Sequence, residues 1–331
     1  MPKRSFRNTN LAKQTRTMDL VQEVIKGNPR AVAKAISLVE NNGTAAQEMM
    51  KKIFPHTGSS VTVGITGPPG SGKSTLVDQM VGHLRKDKRK IGIVAVDPTS
   101  PFTGGAILGD RIRMMRHSLD SEVFIRSMAT RGHLGGLAKA TGEAIVIFEA
   151  AGKNFILVET VGVGQDEVEV VKLADIIVVI LIPGTGDDIQ VFKAEIMEIA
   201  DIFVINKADS PEADKMELQL KAMLELGIKD KEIPPVVKTI ATEGEGVDTL
   251  IEEIQRFIST KSQKFRATRK KKLISWMLKD ILRDKIYMSL DNNLKKSEIE
   301  KYVDKIHKRE IDPYSAADKI IRKLGKKDKD G

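Results

Sequence analysis

Gly67-Pro68-Pro69-Gly70-Ser71-Gly72-Lys73-Ser74 meets every position of the pattern Gly, four residues, Gly-Lys-Ser/Thr. The chemistry this spacing permits is the cradling of phosphate. A backbone rich in glycine can curl around an anion and aim its N–H groups inward. A helix that starts there turns the positive end of its dipole toward the same charge. Lys73 is placed to reach terminal phosphates and the Ser74 hydroxyl to bind Mg²⁺, with Thr75 next in line at the phosphates. Pro68 and Pro69 each fix φ and stiffen the turn. A Gly/Pro-rich turn could match by accident, but the flanks argue against it. Val61–Thr66 is a short apolar, β-branched run, and Leu76, Val77, Met80 and Leu84 fall at helical spacing.

A second chemical signal is Asn206-Lys207-Ala208-Asp209, directly after the apolar run Ile202–Ile205. A carboxylate such as Asp209 accepts two hydrogen bonds, from the ring N–H and the exocyclic amine of guanine. Adenine presents neither donor on that edge, and an unpaired carboxylate is costly. The stem of Lys207 can lie along the base plane. Four residues alone could be any polar loop; downstream of a complete phosphate loop they point to GTP and GDP rather than ATP. Thr239-Ile240-Ala241-Thr242 then precedes Gly244-Glu245-Gly246. Small residues in this place close a base pocket, with a backbone N–H from Ala241 expected to face guanine. Ile240 stands where serine is usual, which matters little if the backbone does the work.

The hydrolysis end lies between these motifs. Glu159-Thr160-Val161-Gly162 follows the run Phe155–Val158. The Glu159 carboxylate is expected to act on Mg²⁺ or its water shell, and the Gly162 N–H on the γ-phosphate; releasing such contacts on hydrolysis is how these loops switch. Gln165 is either a water-positioning residue or part of a solvated polar turn, since it stands three residues after Gly162 rather than next to it. Asp97, in Asp97-Pro98-Thr99-Ser100, could hold Mg²⁺ together with Ser74 or be an ordinary turn residue. Asp110, in the Gly-rich stretch Gly104–Arg111, is a further candidate metal ligand. Pro183–Asp188 is a Gly-rich acidic loop that is either a relay to a partner or a connecting turn. His83, His117 and His133 have no metal-ligand spacing and read as structural.

These residues need a scaffold that brings strand ends together. Seven strand-like runs alternate with helical patterns: Val61–Thr66, Ile91–Val96, Val123–Arg126, Phe155–Glu159, Ile176–Ile182, Ile202–Ile205 and Val236–Ile240. Several are apolar throughout, as in a parallel sheet covered on both faces. The fold class is therefore α/β, a doubly wound and mostly parallel sheet, whose ligands bind at the carboxyl ends of strands. Every motif above sits at such an end. Residues 1–58 read as an N-terminal helical extension, 59–260 as the nucleotide domain and 261–331 as a C-terminal helical arm. Asn28-Pro29 signals a helix start, Ser297 with Glu300 resembles a capping box, and Asp312-Pro313 opens a last helix that Gly325 ends.

The chain has 331 residues with 41% apolar residues, no cysteine and a net charge of +9. The absence of cysteine excludes disulfides and fits a reducing, cytoplasmic setting. No apolar run is long enough to cross a bilayer, and the basic N-terminus lacks the apolar core of a signal peptide. Lys261–Lys272 holds seven basic residues and no acidic one. Such a run is usually a solvated face or an arm meeting an acidic partner. With only 4% aromatic residues, base-stacking platforms are poorly supplied, so neither nucleic acid nor membrane is the expected partner.

Taken together, Gly67–Ser74, Asp97–Ser100, Gly104–Arg111, Glu159–Glu167, Pro183–Gln190 and Asn206–Asp209 resemble the methylmalonyl-CoA mutase-associated GTPases, a family once described as lysine/arginine/ornithine transport ATPases. The resemblance covers about 60–250, and the order Val-Glu-Thr-Val-Gly-Val-Gly-Gln is specific to that family. Asp166, Asp188 and Ile240 depart slightly from its pattern. The resemblance implies a GTPase of the signal-recognition and dimerising branch, a homodimer formed through the helices of 262–325, and binding to an adenosylcobalamin-dependent acyl-CoA mutase. GTP binding and slow hydrolysis would gate cobalamin loading and protect the mutase, with Pro183–Gln190 as an extra switch. The alternative is a nickel-insertion GTPase of the same branch, against which the lack of cysteine and of a histidine cluster counts.

Overall fold

Seven runs of apolar and β-branched residues form the strands expected of them: β1 (Val61–Thr66), β2 (Ile91–Asp97), β3 (Val123–Ala129), β4 (Phe155–Glu159), β5 (Ile176–Leu181), β6 (Ile202–Asn206) and β7 (Val236–Thr239). The computed structural model describes residues 18–41, 43–97, 115–117, 119–129, 136–160, 173–184, 198–227, 233–260, 267–268, 270–271, 274–275, 277–283, 285–286 and 296–327. The strands form one sheet in the order β3-β2-β4-β1-β5-β6-β7, and every neighbouring pair is parallel. β1 is central, so the phosphate loop that follows it emerges between β4 and β5. β3 runs three residues beyond its expected end at Arg126 because its ladder with β2 continues to Ala129. β7 stops at Thr239; Ile240 makes only an isolated bridge to Glu245.

The helices are α1 (18–25), then α2 (Pro29–Glu40), α3 (Thr44–Ile53), α4 (Lys73–Lys86), α5 (Gly136–Ala150), α6 (Ala213–Gly227), α7 (Val247–Thr260), α8 (Lys296–His307) and α9 (Pro313–Lys327). On one face of the sheet, Leu76, Met80 and Leu84 of α4 and Leu250, Ile251 and Ile254 of α7 share a core with Val63, Ile65, Leu157, Val178 and Val204. On the other, Met216, Leu220 and Leu224 of α6 pack with Val179, Leu181, Phe203 and Ile205. Two covered faces explain why β4, β5 and β6 are buried along their whole length. Gly92 interrupts β2, at a cost of about 0.5–1 kcal/mol for glycine in a strand. A Cβ there would lie 2.7 Å from the Phe148 ring, and burying that ring on α5 recovers about 1.5–3 kcal/mol, so the exchange is favourable.

The N-terminal helices join this core. Asn28 caps α2, its Oδ1 accepting from the N–H groups of Arg30 and Ala31, and Val32, Ile36 and Val39 are buried. Arg126 of β3 ties α2 down through Ser37 and Glu40. The chain divides into two compact units, one running to Leu273 and one from Ile274. In the second, the Ser315 N–H donates to Asp312 Oδ1 at the start of α9, as the sequence predicts. α9 continues to Lys327, past Gly325, and α8 already begins at Lys296, which puts Ser297 inside the helix rather than at its cap. Glycine costs only about 1 kcal/mol inside a helix, too little to stop it against a favourable flank.

One residue of the basic stretch has a partner in the first unit. Lys270 Nζ lies 3.7 Å from Glu149 Oε1, and the Gly58 N–H donates to Glu149 Oε2 at 2.7 Å. Glu149 is buried. Burial pushes its carboxyl above the usual carboxylate range, with Lys270 and Gly58 pulling the other way and Asp175 adding to the rise. The folded chain therefore holds this proton more tightly than the unfolded chain. Ionised Glu149 costs stability as pH rises from the ordinary carboxylate range through the raised folded value. Glu149→Gln keeps an acceptor for Gly58 and never ionises. Its melting temperature should exceed wild type at pH 8 by about 2–4 °C, the scale of 1 kcal/mol in a domain of this size, and the gap should close toward pH 4. A pH-independent difference in thermal melts would sink the idea.

Candidate active site

The phosphate loop occupies residues 67–72 between β1 and α4. Gly67 has φ +154°, and a Cβ on it would sit 2.4 Å from the Ile180 carbonyl oxygen of β5. Gly72 has φ +87°, with its absent Cβ 2.3 Å from Asn206 Nδ2. Both glycines are thus required twice over, by dihedral and by the close approach of β5 and of Asn206. Lys73 is buried, and its Nζ donates to the carbonyls of Gly67 and Pro68 at 2.9 Å each. The Ser74 hydroxyl meets Glu159 Oε1 at 2.5 Å. Both are buried, and Glu159 reaches this place because it ends β4 beside Ile65 of β1.

Asn206 joins three loops. Its Nδ2 donates to the Ser71 carbonyl at 2.7 Å, while its Oδ1 accepts from Thr239 Oγ1 at 3.0 Å and from the Ala241 N–H at 3.1 Å. A fully buried amide with all these bonds satisfied fixes the base-side loops against the phosphate loop. Lys207 adopts φ +58°, a conformation costing a non-glycine residue of order 1–3 kcal/mol. The Ala208 N–H to the Thr239 carbonyl and the Ser210 N–H to the Lys207 carbonyl hold it there. Lys207 and Asp209 are exposed at the rim. Ile240, Ala241 and Thr242 form the adjoining turn, closed by the Gly244 N–H to the Ile240 carbonyl. The Ala241 N–H, expected to face a base, donates to the Asn206 amide oxygen.

The structure thus brings Gly67–Ser74, Glu159 and Asn206 together, with the 206–209 and 240–242 turns beside them. Asp97 ends β2, two residues past Ala95, whose register partner is Glu159. Asp110, Gly162 and Gln165 lie outside the described residues, as do Pro98–Ser100 and most of Pro183–Gln190. Two threonines stand inside quoted motifs without a role assigned from the sequence. Thr239 braces Asn206, and Thr160 Oγ1 bonds Thr66 Oγ1 at 3.0 Å, pinning the residue after Glu159 to the residue before Gly67. Thr239 as the last residue of β7 and Thr160 as the residue directly after β4 sit at the ends of motif-bearing strands, and that is the signal that could have found their roles. Among the described residues no cluster of three His, Asp, Glu or Cys side chains is arranged for a metal.

Comparison with known proteins gives this geometry its relatives. A family model described as methylmalonyl Co-A mutase-associated GTPase MeaB matches residues 32–294. A Pyrococcus abyssi protein named as a GTPase is 49% identical over 312 residues, covering 92% of this chain and 96% of the relative. The mouse methylmalonic aciduria type A homolog, mitochondrial, is 35% identical over 265 residues, covering 74% of this chain and 64% of the mouse protein. Among solved structures, a LAO/AO transport system kinase superposes with a TM-score of 0.68 over 93% of this chain and 97% of its own, at 23% identity. That likeness supports the fold, a parallel sheet with flanking helices.

Proposed function

We propose that this chain, which belongs to the methylmalonyl-CoA mutase-associated GTPase family, couples GTP binding and hydrolysis to cofactor loading and protection of an adenosylcobalamin-dependent acyl-CoA mutase. The chain is a GTPase. The observation that supports the nucleotide half of the reading is the three-way junction at Asn206, which ties the loops of the proposed base side to the phosphate loop; the mutase half rests on the family match. In this reading Gly67–Gly72 wrap the phosphates with Thr75 beside them, and Lys73 meets the terminal ones. Asp209 accepts from guanine, the stem of Lys207 lies along the base, and Ile240–Thr242 close the pocket.

Ser74 Oγ and Glu159 Oε1 are hard oxygen donors side by side, the kind Mg²⁺ takes. Asp97 and Asp110 are proposed to complete the set. Bound Mg²⁺ would neutralise charge on the transferring phosphate. Glu159 holds the position of that charge through Ser74, and Gln165 is proposed to orient water. Gly162 is proposed to report the γ-phosphate.

The homodimer is supported by an apolar stripe in the second unit. Ile274, Leu278, Leu282 and Ile286 recur every fourth residue and are all exposed. No helix among the described residues is long and apolar enough to cross a membrane; the proposed location is the cytoplasm. The nickel-insertion reading has no cysteine to draw on.

The test is GTP turnover with and without an adenosylcobalamin-dependent acyl-CoA mutase, with ATP as control. Strong stimulation with GTP only, and a complex on a sizing column, is the expected result. Turnover indifferent to the mutase, with no complex, would send the search to another client.

A further inference from the structure

β1 and β4 run side by side and part at the site. Their ladder ends with Ile65 opposite Glu159. The next residue of β1, Thr66, has its register partner in β5, Val179. Gly67 leans the same way, since a Cβ on it would strike the Ile180 carbonyl oxygen of β5. The backbone ladders therefore tie the start of the phosphate loop to β5. They tie the Glu159 end of β4 to Ile65 and to Ala95 of β2. Thr160 bridges this parting. Its N–H donates to the Ile65 carbonyl at 3.1 Å. Its hydroxyl lies 3.0 Å from the Thr66 hydroxyl and 3.4 Å from the same carbonyl oxygen. Thr66 is 1% exposed and Thr160 2%.

Neighbouring side chains of a strand point to opposite faces of the sheet. Val63 and Ile65 of β1 and Phe155 and Leu157 of β4 pack on the α4 face, and Glu159, two residues on, meets Ser74 of α4 there. Thr66 and Thr160 are out of step by one residue and belong to the other face. Their effect on Ser74 and Glu159 therefore passes through the backbones of β1 and β4. A buried hydroxyl left without a partner is costly, whereas replacing both members of a bonded pair by apolar groups of the same shape is nearly neutral. Valine at both places would fill the same space, so packing alone does not call for the pair. What the pair adds is register. Thr66 precedes Gly67 and Thr160 follows Glu159, so fixing one hydroxyl against the other sets how Ser74 Oγ meets Glu159 Oε1.

We infer that Thr66 and Thr160 are positioning residues for GTP hydrolysis, holding the β4 end that carries Glu159 in register with the phosphate loop and Ser74 behind it. The inference rests on the reading of Ser74 and Glu159 as the metal side of the site.

The test is kcat for GTP, Mn²⁺ binding to the GDP-bound protein by electron paramagnetic resonance, and thermal melting. The variants are Thr66→Val, Thr160→Val, the double variant, Thr160→Ser, Thr62→Val and Glu159→Gln. Mn²⁺ stands in for Mg²⁺ because both take oxygen ligands. Each of Thr66→Val and Thr160→Val should lower kcat and weaken Mn²⁺ binding by about five- to tenfold, a small part of what misplacement near the chemistry can cost. The double variant should lose no more than either single one, because removing one hydroxyl already breaks the pair. Thr160→Ser keeps the hydroxyl and should hold kcat within about twofold of wild type. Thr62 is buried on the same strand and face, at the end away from the site, and Thr62→Val should also keep kcat within about twofold. Wild-type kcat in the double variant overturns the proposal. So do losses that add, or an equal loss in Thr62→Val, which would make the threonines a matter of stability alone. If one of the two single variants does not fold, kcat of the other decides. Unchanged Mn²⁺ binding in Glu159→Gln removes the metal reading by itself; a shared, non-additive loss of kcat at Thr66 and Thr160 would still uphold the pair as positioning residues.

Discussion

Lys73→Ala is expected to lower single-turnover GTP hydrolysis by about 10²–10³-fold, the usual cost of removing one preorganised donor from a site where charge develops. The structure gives the lysine two tasks. Its ammonium is buried yet held by the carbonyls of Gly67 and Pro68, so the loop itself offsets the desolvation a buried cation would otherwise suffer. That hold aims Nζ into the mouth of the loop, where terminal phosphates are proposed to lie. The variant should stay folded, because the loop is also held by the Asn206 amide on the Ser71 carbonyl. Melting temperature and hydrolysis should therefore separate: a large kinetic loss with a small thermal one. Hydrolysis at the wild-type rate would remove the phosphate-loop assignment altogether.

How far the site could be read in advance depended on where each residue gets its position. Gly67–Ser74 was legible because dihedral demand, close backbone approach and ligand chemistry all select the same residues. The strands were legible because burial on both faces leaves an uninterrupted apolar run, and all seven appear. Asn206 was visible as part of a motif, but its role was not. That one amide would span Ser71, Thr239 and Ala241 is a fact about three strand ends that are far apart in sequence. The bond from the Ala241 N–H to Asn206 was not legible for a related reason, since a motif names a donor but not the side chain packed against it. Helix ends such as Ser297 and Gly325 were least certain, because a cap or a glycine contributes only about 1 kcal/mol either way.

Asp209→Asn should change which base the enzyme takes rather than whether it turns over a nucleotide. A hydrogen bond to a charged group contributes about 1.5–3 kcal/mol, so losing two would cost about 3–6 kcal/mol. That corresponds to roughly 10²–10⁴ in the preference for GTP over ATP, no more than the 10⁴–10⁵ that hydrogen-bonding pockets reach. The asparagine amide presents a donor where the carboxylate presented an acceptor. Xanthine carries a carbonyl where guanine carries its exocyclic amine, so the variant should accept xanthosine triphosphate, which the wild-type carboxylate repels. Asp209 is exposed, and the turn around it is set by the left-handed Lys207 and by Ala208 on Thr239, so the exchange should leave the fold and the phosphate end intact. Competition of GTP, ATP and xanthosine triphosphate against a fluorescent GDP reads all three affinities at once. If the variant keeps full GTP preference and still refuses xanthosine triphosphate, Asp209 lies outside the base pocket. Guanine selection would then have to come from the backbone of 240–242, with Asn206 bracing it rather than the carboxylate choosing.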